Sequence, residues 1–366
     1  MKVAFDVSTA AFKQKTGTGV YVEELVQNYQ SLFQQDEITH SYRLARRLRG
    51  KDFLLPLSPN SSQETILDPW TCLNGFRHDV FHGLNSRLPV FVGPCKMVAT
   101  IHDLFSIFGS FSDDRFREDQ SKKLKKMIAR ADHIIVPASF TRDELIKHFN
   151  LSREKITVIP QGVRSTFLKP RDRAKSQSAV AAQYGLIKPF LLFVGTLEKR
   201  KNLIGLVKTY GRLSVLKKDL PDLVLVGHEG YLYSEIAQEI ESSGLKDKIK
   251  ILGFISEENL GDLYSACEAF IYLSLEEGFG IPIIEAMACG APVVSSNTTS
   301  LPEAGGGHTW LVSPHDHEIA ALAVLDILRR TESTRAQIER GTCYARSETW
   351  GKVAARTRDV FISVKK

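Results

Sequence analysis

The chain has 366 residues, 43% hydrophobic and 25% charged, which is longer than one core normally serves and suits two globular domains. No apolar run approaches the ~18 residues of a membrane span, and a formal net charge of +6 is too modest to call for a nucleic-acid partner. The five cysteines, Cys72, Cys95, Cys267, Cys289 and Cys343, form no C-x-x-C pair and no metal-ligand spacing, so reduced structural thiols are expected.

In chain order, residues 3–8 read as a strand that begins without the apolar stretch of a secretory leader, so a cytoplasmic protein is expected. A loop, Gln14-Lys15-Thr16-Gly17-Thr18-Gly19, leads to a helical pattern from 20 to about 33. Further strands are predicted at 79–82, 97–101, 133–137 and 155–159, with helices at 121–131 and 141–149 among them. Two basic runs stand out: Arg43, Arg46, Arg47, Arg49 and Lys51, then Lys122, Lys123, Lys125, Lys126 and Arg130. Solvated helix faces account for such runs, and a flank near anionic lipid or an acidic acceptor is the sharper alternative.

From about 165 to 188 the sequence turns polar and loses apolar periodicity, with Pro170 inside it, which places an interdomain linker at 169–188 after a first domain of 1–168. Strand and helix then alternate again through a second domain at 189–345. Strands are predicted at 189–194, 223–226, 249–252, 269–274 and 292–295, and helices at 203–216, 259–266 and 282–289. The terminal segment 346–366 is expected to be a helix. Alternation of this kind implies an α/β chain with two doubly wound, mainly parallel sheets.

Two loops of the second half carry chemistry. Between predicted strand 269–274 and the next helix lie Glu277, Gly278, Phe279, Gly280 and Ile281, with Pro282 opening the helix and Gly290 closing it. Ligands of open α/β sheets bind at such strand-leaving loops, and a helix N-terminus favours phosphate. Glu277 and Glu285 have the spacing E-x(7)-E. A carboxylate beside a diphosphate is repelled unless it serves sugar hydroxyls, which it accepts well. After strand 189–194 comes a second loop, Thr196-Leu197-Glu198-Lys199-Arg200-Lys201, where Arg200 and Lys201 offer a guanidinium fork and an ammonium to the same diphosphate.

These segments resemble the retaining glycosyltransferases of family 4, most closely in FVGTLEKRKNL, in LGFISEENLGDLYSACEAFIYLSLEEGFGIPIIEAMACGAPVVSSNTTSLPEAGG, and in the terminal ETWGKVAARTRDVF. The resemblance implies the GT-B fold, in which two Rossmann-like domains face each other across a cleft and the last helix crosses back to the first domain. It also implies that Glu277 contacts the donor sugar, Glu285 holds the ribose, and the amides of Phe279, Gly280 and Ile281 meet sugar and phosphate. Thr196, Phe254 and Gly278 join Arg200 and Lys201 as donor-binding candidates; many members carry arginine where Thr196 stands. In the first half, VATIHDLFS makes His102 the candidate contact at the reaction centre. Gly17 and Gly19 resemble the family's phosphate-approaching loop, whereas Val22 breaks the nicotinamide fingerprint G-x-G-x-x-G.

No D-x-D motif is present, so the expected reaction is metal-independent and needs no cofactor, with protein cations meeting the leaving diphosphate. A front-face transfer, in which the donor phosphate accepts the acceptor's proton, is expected in place of a carboxylate nucleophile. The expected donor is a GDP- or UDP-linked hexose, GDP-mannose first because the GTLEKRKN loop resembles bacterial mannosyltransferases of surface-polysaccharide assembly. The expected acceptor is a glycan, a lipid-linked sugar or a small molecule, with a peripheral contact to the inner membrane surface. A sugar-nucleotide epimerase or hydrolase using His102, or a non-catalytic sugar-nucleotide-binding subunit, are the competing readings.

Overall fold

The computed structural model describes residues 1–13, 17–67, 77–90, 93–109 and 114–366. The loop residues Gln14, Lys15 and Thr16 and the thiol of Cys72 lie outside the described residues. The chain divides into two compact units, Met1–Gly162 with Thr349–Lys366, and Val163–Glu348.

Among the described residues the first unit holds seven strands: β1 (Lys2–Asp6), β2 (Glu37–Arg43), β3 (Ser61–Ile66), β4 (Val80–Gly83), β5 (Lys96–Thr100), β6 (His133–Val136) and β7 (Ile156–Val158). They form one sheet in the order β3-β2-β1-β4-β5-β6-β7, and every pairing is parallel. Alternate side chains go to opposite faces. Val3, Phe5, Val80, Val98 and Ile135 enter one apolar cluster with Tyr21, Leu25, Trp350 and Phe361. Their neighbours Ala4, Phe81, Met97, Ala99, Ile134 and Val136 enter a second, with Leu124, Met127 and Leu145. Helices on both faces therefore bury the central strands β1, β4, β5 and β6, which is why these read as near-continuous apolar runs.

The terminal helix Trp350–Lys365 belongs to this first unit. Arg358 makes two hydrogen bonds to the buried carboxylate of Asp36, at 2.8 and 3.2 Å, and Tyr29 donates to the same group at 2.9 Å.

The second unit contains β8 (Phe190–Val194), β9 (Asp222–Val226), β10 (Ile249–Gly253), β11 (Ala269–Tyr272), β12 (Val293–Ser296) and β13 (Trp310–Val312). Their order is β10-β9-β8-β11-β12-β13, again with parallel pairing. In both sheets the strand order reverses in the middle, between β1 and β4 and between β8 and β11. Ligands of doubly wound sheets bind at the carboxyl edge of such a reversal.

Three expectations need correction. Residues 169–188 are not a linker: they carry the helix Arg173–Tyr184, capped by Asp172 accepting from the Lys175 amide at 2.9 Å and ended by Gly185 at φ +65°. Its Ser176 bonds Asp262 at 2.7 Å and its Val180 enters the core of the second unit, so the boundary falls at Gly162 and Val163 and at Glu348 and Thr349. Gly17 and Gly19 belong to the first turn of helix Gly17–Leu32, with Gly19 buried, where a loop up to Gly19 is expected from the sequence. β2 and β3 fill a stretch without predicted strands. Of their polar residues His40 and Ser41 are buried, and Ser41 donates to Glu64 at 2.6 Å while His78 lies 3.3 Å from the same carboxylate.

Cys95, Cys267 and Cys289 are free and buried, and Cys343 is free and exposed. Burial pushes the first three thiols up to about 12, so they are inert structural groups.

Candidate functional site

Because β8 and β11 are neighbours, the loops that leave their carboxyl ends are neighbours too. The β8 loop is held from both sides. Leu197 donates its amide to His228 at 2.7 Å, and Gly230 donates to Leu197 at 3.0 Å. Gly227 lies at φ +147°, and a Cβ there would stand 1.9 Å from the carbonyl oxygen of Gly195, so only glycine permits this close approach. The turn ends at Asn202, in the left-handed region at φ +56°, which starts helix Leu203–Leu216.

The β11 loop brings Glu277 to Arg200 and Lys201. Lys201 Nζ donates to Glu277 Oε1 at 2.5 Å and to the Tyr272 hydroxyl at 2.9 Å, while that hydroxyl donates to the same carboxylate oxygen at 2.9 Å. Arg200 reaches Glu277 Oε2 at 3.1 Å, the Glu276 carbonyl at 2.6 Å and Glu198 at 2.8 Å. Both oxygens of Glu277 are therefore engaged. Burial alone would raise this carboxyl, but the Lys201 ammonium and the Arg200 guanidinium outweigh it and bring it down to about 2. The cluster holds two cations and two carboxylates. Gly280 enters helix Ile281–Ala288 at φ +107°, where a Cβ would meet Leu301 at 2.8 Å. Glycine is required there by backbone and by space.

Glu285 sits in a different environment. It is 2% exposed, and Arg164 Nε donates to its Oε1 at 2.7 Å. The same guanidinium pairs with Glu257 and lies over the Phe167 ring. Burial raises the Glu285 carboxyl, and Arg164 pulls it back only in part. The two motif carboxylates are thus displaced in opposite directions.

The sequence pattern misses Arg164, because its partner is 121 positions away. Arg164 directly follows Ile159-Pro160-Gln161-Gly162-Val163, and nothing in that local stretch marks a buried partner. Arg164→Met is expected to cost the second unit about 3–5 kcal/mol, since it strands a buried carboxylate. The sign of its pH dependence follows from Glu285. With its carboxyl raised in the folded state, the native form holds the proton that the unfolded form releases, so the variant regains stability as pH falls toward about 4.5, the ordinary value. Urea unfolding across pH checks this; a loss under about 1 kcal/mol with no pH dependence contradicts it, and Arg164→Lys should recover part of the loss.

The other expected site residues are dispersed. Thr196 is an exposed turn residue. Phe254 is 57% exposed and stacks on His228 with ring centroids 5.2 Å apart. The side chain of Phe279 is buried in the core, which leaves its backbone as the only candidate contact.

His102 belongs to the first unit, where it follows β5. Its Nε2 donates to the Leu84 carbonyl at 2.9 Å, and its ring meets Tyr21 edge-on at 4.6 Å. Burial lowers its pKa, so the ring is neutral, with Nδ1 as its acceptor. His102 lines a pocket of ≈ 580 Å³ within this unit, together with Thr18, Ser86 and Asp103.

Among the described residues, no group of three or more His, Cys, Asp or Glu side chains is arranged to hold a metal ion. Among them, no helix is long and apolar enough to cross a membrane.

Residues 16–167 match the family model described as Glycosyltransferase Family 4, and residues 182–342 match Glycosyl transferases group 1. The O-antigen chain mannosyltransferase B of Escherichia coli is 31% identical over 79% of this chain and 75% of its own length. The chain belongs to glycosyltransferase family 4. This glycosyltransferase is also 31% identical to the serotype-specific mannosyltransferase WbdA of Escherichia coli, over 61% of this chain but only 28% of that longer protein. Its fold is GT-B. It matches Anabaena HepE, solved with UDP, at a TM-score of 0.78 and 18% identity over 99% of this chain and 100% of that one. Sucrose-phosphate synthase from Thermosynechococcus elongatus matches at 0.76 and 19% identity, over 99% and 98%.

Proposed function

We propose that this glycosyltransferase moves a hexose, mannose first, from a nucleoside-diphosphate donor to a glycan or lipid-linked acceptor of a surface polysaccharide, with retention at the anomeric carbon and without a metal ion. The observation that carries the reading is the meeting of Arg200, Lys201 and Glu277 at the strand-order reversal of the second sheet. A diphosphate arriving at the two cations replaces Glu277 as their partner and frees its oxygens for the hexose hydroxyls. Glu285, on the helix behind, is assigned to the ribose.

Retention by front-face transfer is favoured over a covalent intermediate, because Glu277 is assigned to the hexose hydroxyls and Glu285 to the ribose, which leaves neither motif carboxylate as the nucleophile. The leaving phosphate takes the acceptor's proton, and preorganised cations meet its charge. Mannose and a surface polysaccharide are supported by the mannosyltransferase relatives. Work at the inner membrane surface is assigned to the two basic runs.

A donor panel with GDP-mannose, UDP-hexoses and ADP-hexoses tests this, with transfer to an added acceptor read against simple hydrolysis. Turnover in EDTA is expected to equal turnover in Mg²⁺. Abolition by chelator with rescue by Mg²⁺ or Mn²⁺ overturns metal independence, and hydrolysis without transfer from every donor overturns the reading itself.

A further inference from the structure

Tyr272 lies outside the E-x(7)-E spacing, yet its hydroxyl touches charged groups of both loops. It donates to Glu277 Oε1 at 2.9 Å and accepts from Lys201 Nζ at 2.9 Å. The residue ends β11, is 1% exposed, and pairs through its backbone with Ser295 of β12. Its ring stacks on Phe193 of β8 and on Phe270, with centroids 5.8 and 5.7 Å apart and planes 15° and 21° from parallel. A ring packed this closely cannot swing, so the sheet itself fixes the hydroxyl. The cations differ, since Lys201 and Arg200 reach Glu277 from the β8 loop on long stems. The backbone of Glu277 is held separately: its amide donates to Thr299 Oγ1 at 3.3 Å, and its carbonyl accepts from the Ser300 hydroxyl at 2.6 Å.

We propose that Tyr272 is a positioning residue for the transfer: its hydroxyl stays on Glu277 Oε1 when the donor's diphosphate draws Lys201 and Arg200 away, and it keeps the carboxylate aimed at the hexose. This role rests on the assignment of Glu277 to the hexose hydroxyls. A diphosphate attracts an ammonium and a guanidinium by charge, whereas a neutral phenol feels no such pull. Burial, with Glu277 beside it, holds Tyr272 well above the ordinary tyrosine range, so the hydroxyl stays protonated and donating. A carboxylate offers about four lone-pair sites; one on Oε1 remains with Tyr272 and the others are open to the sugar. Among the described residues, the charged groups at Glu277 are Lys201 and Arg200 from the β8 loop, with Glu198 paired to Arg200. Burial raises the Glu277 carboxyl, and Lys201, Arg200 and Tyr272 together lower it. Once the cations share their charge with the diphosphate, the hydroxyl's contribution is the one left undivided.

Steady-state kinetics on Tyr272→Phe, with calorimetry of the sugar-free nucleoside diphosphate, tests this. The ring and its packing remain, so donor KM and nucleotide affinity are expected to stay within about twofold while kcat falls about tenfold, the size of one hydrogen bond to a charged group. The acid limb of kcat should move to higher pH, because Glu277 works as its carboxylate and loses a donor that favours that form. Tyr210→Phe removes another buried hydroxyl from the same core, one that donates to the Pro221 carbonyl at 2.7 Å beside the start of β9. It should lower stability in urea and leave kcat and its pH profile unchanged. The sharpest comparison places Tyr272→Phe on a Glu277→Ala background, where the hydroxyl has no carboxylate to hold and kcat should change by less than about twofold. Full turnover in Tyr272→Phe, the same kcat loss in both backgrounds, equal kcat losses in Tyr272→Phe and Tyr210→Phe, or an unmoved acid limb each overturn the proposal and leave Tyr272 a core residue. Failure of the underlying reading looks different. Full turnover in Glu277→Ala removes Glu277 from the hexose and the role of Tyr272 with it, whereas collapse of Glu277→Ala beside an unaffected Tyr272→Phe defeats the positioning role alone.

Discussion

Glu277→Ala is expected to lower the turnover rate at saturating donor by about 10²–10³-fold, the size of a single preorganised catalytic contact. The hexose ring flattens and gains positive charge as the bond to the diphosphate breaks, so a carboxylate held against it stabilises the transition state more than the bound donor. The geometry adds a second expectation. Glu277 occupies Arg200 and Lys201 before the donor arrives, so removing it takes one negative charge from the diphosphate's own partners. The sugar-free nucleoside diphosphate should therefore bind the variant no more weakly than the original protein, while turnover collapses. Saturation kinetics with the true donor and calorimetry with the sugar-free nucleotide separate the two effects. Full turnover at saturation, or weakened nucleotide binding with turnover unchanged, contradicts the assignment.

The same carboxylate fixes an acid limb. Its folded pKa of about 2 lies below the ordinary 4.5. The unfolded chain therefore binds the extra proton between those values, and the stability Glu277 lends is present above about 4.5 and lost as pH falls toward 2. Glu277→Gln should flatten that limb in acid titration of the fold.

Some parts of this molecule are written locally in the chain and others only in its contacts. β8 and β11 are apolar on both faces, so Phe190–Val194 and Ala269–Tyr272 read as buried parallel strands without any partner in view. The loops after them are legible for the same reason, since glycine, proline and charged residues punctuate the runs at fixed spacing. β2 is different: His40 and Ser41 are fully buried yet polar, and the glutamate that satisfies Ser41 is 23 positions away on β3. Helix Arg173–Tyr184 looks like a polar linker because it packs through Val180 and a Ser176–Asp262 bond instead of a broad apolar stripe. Arg164 shows the same limit at the site itself. The E-x(7)-E spacing identifies Glu285, but the cation that answers its buried charge comes from the other end of the second unit.

Arg200→Ala is the second large effect. The guanidinium binds Glu198, the Glu276 carbonyl and Glu277, and its side chain is 28% exposed, so truncation opens a solvent-reachable gap and leaves Glu277 still paired with Lys201 and Tyr272. A charge-assisted contact to phosphate contributes about 1.5–3 kcal/mol, or roughly 10–100-fold in affinity. Lys201→Ala should cost as much in binding and more in stability, since it strips the closest cation from a buried carboxylate. The central claim is that these two loops hold the donor's diphosphate, and paired calorimetric titrations of nucleoside and nucleoside diphosphate, on the original protein and on Arg200→Ala, test it most directly. The account predicts a loss of about 10–100-fold for the diphosphate with the nucleoside unchanged; equal losses for both ligands, or none for either, would contradict it.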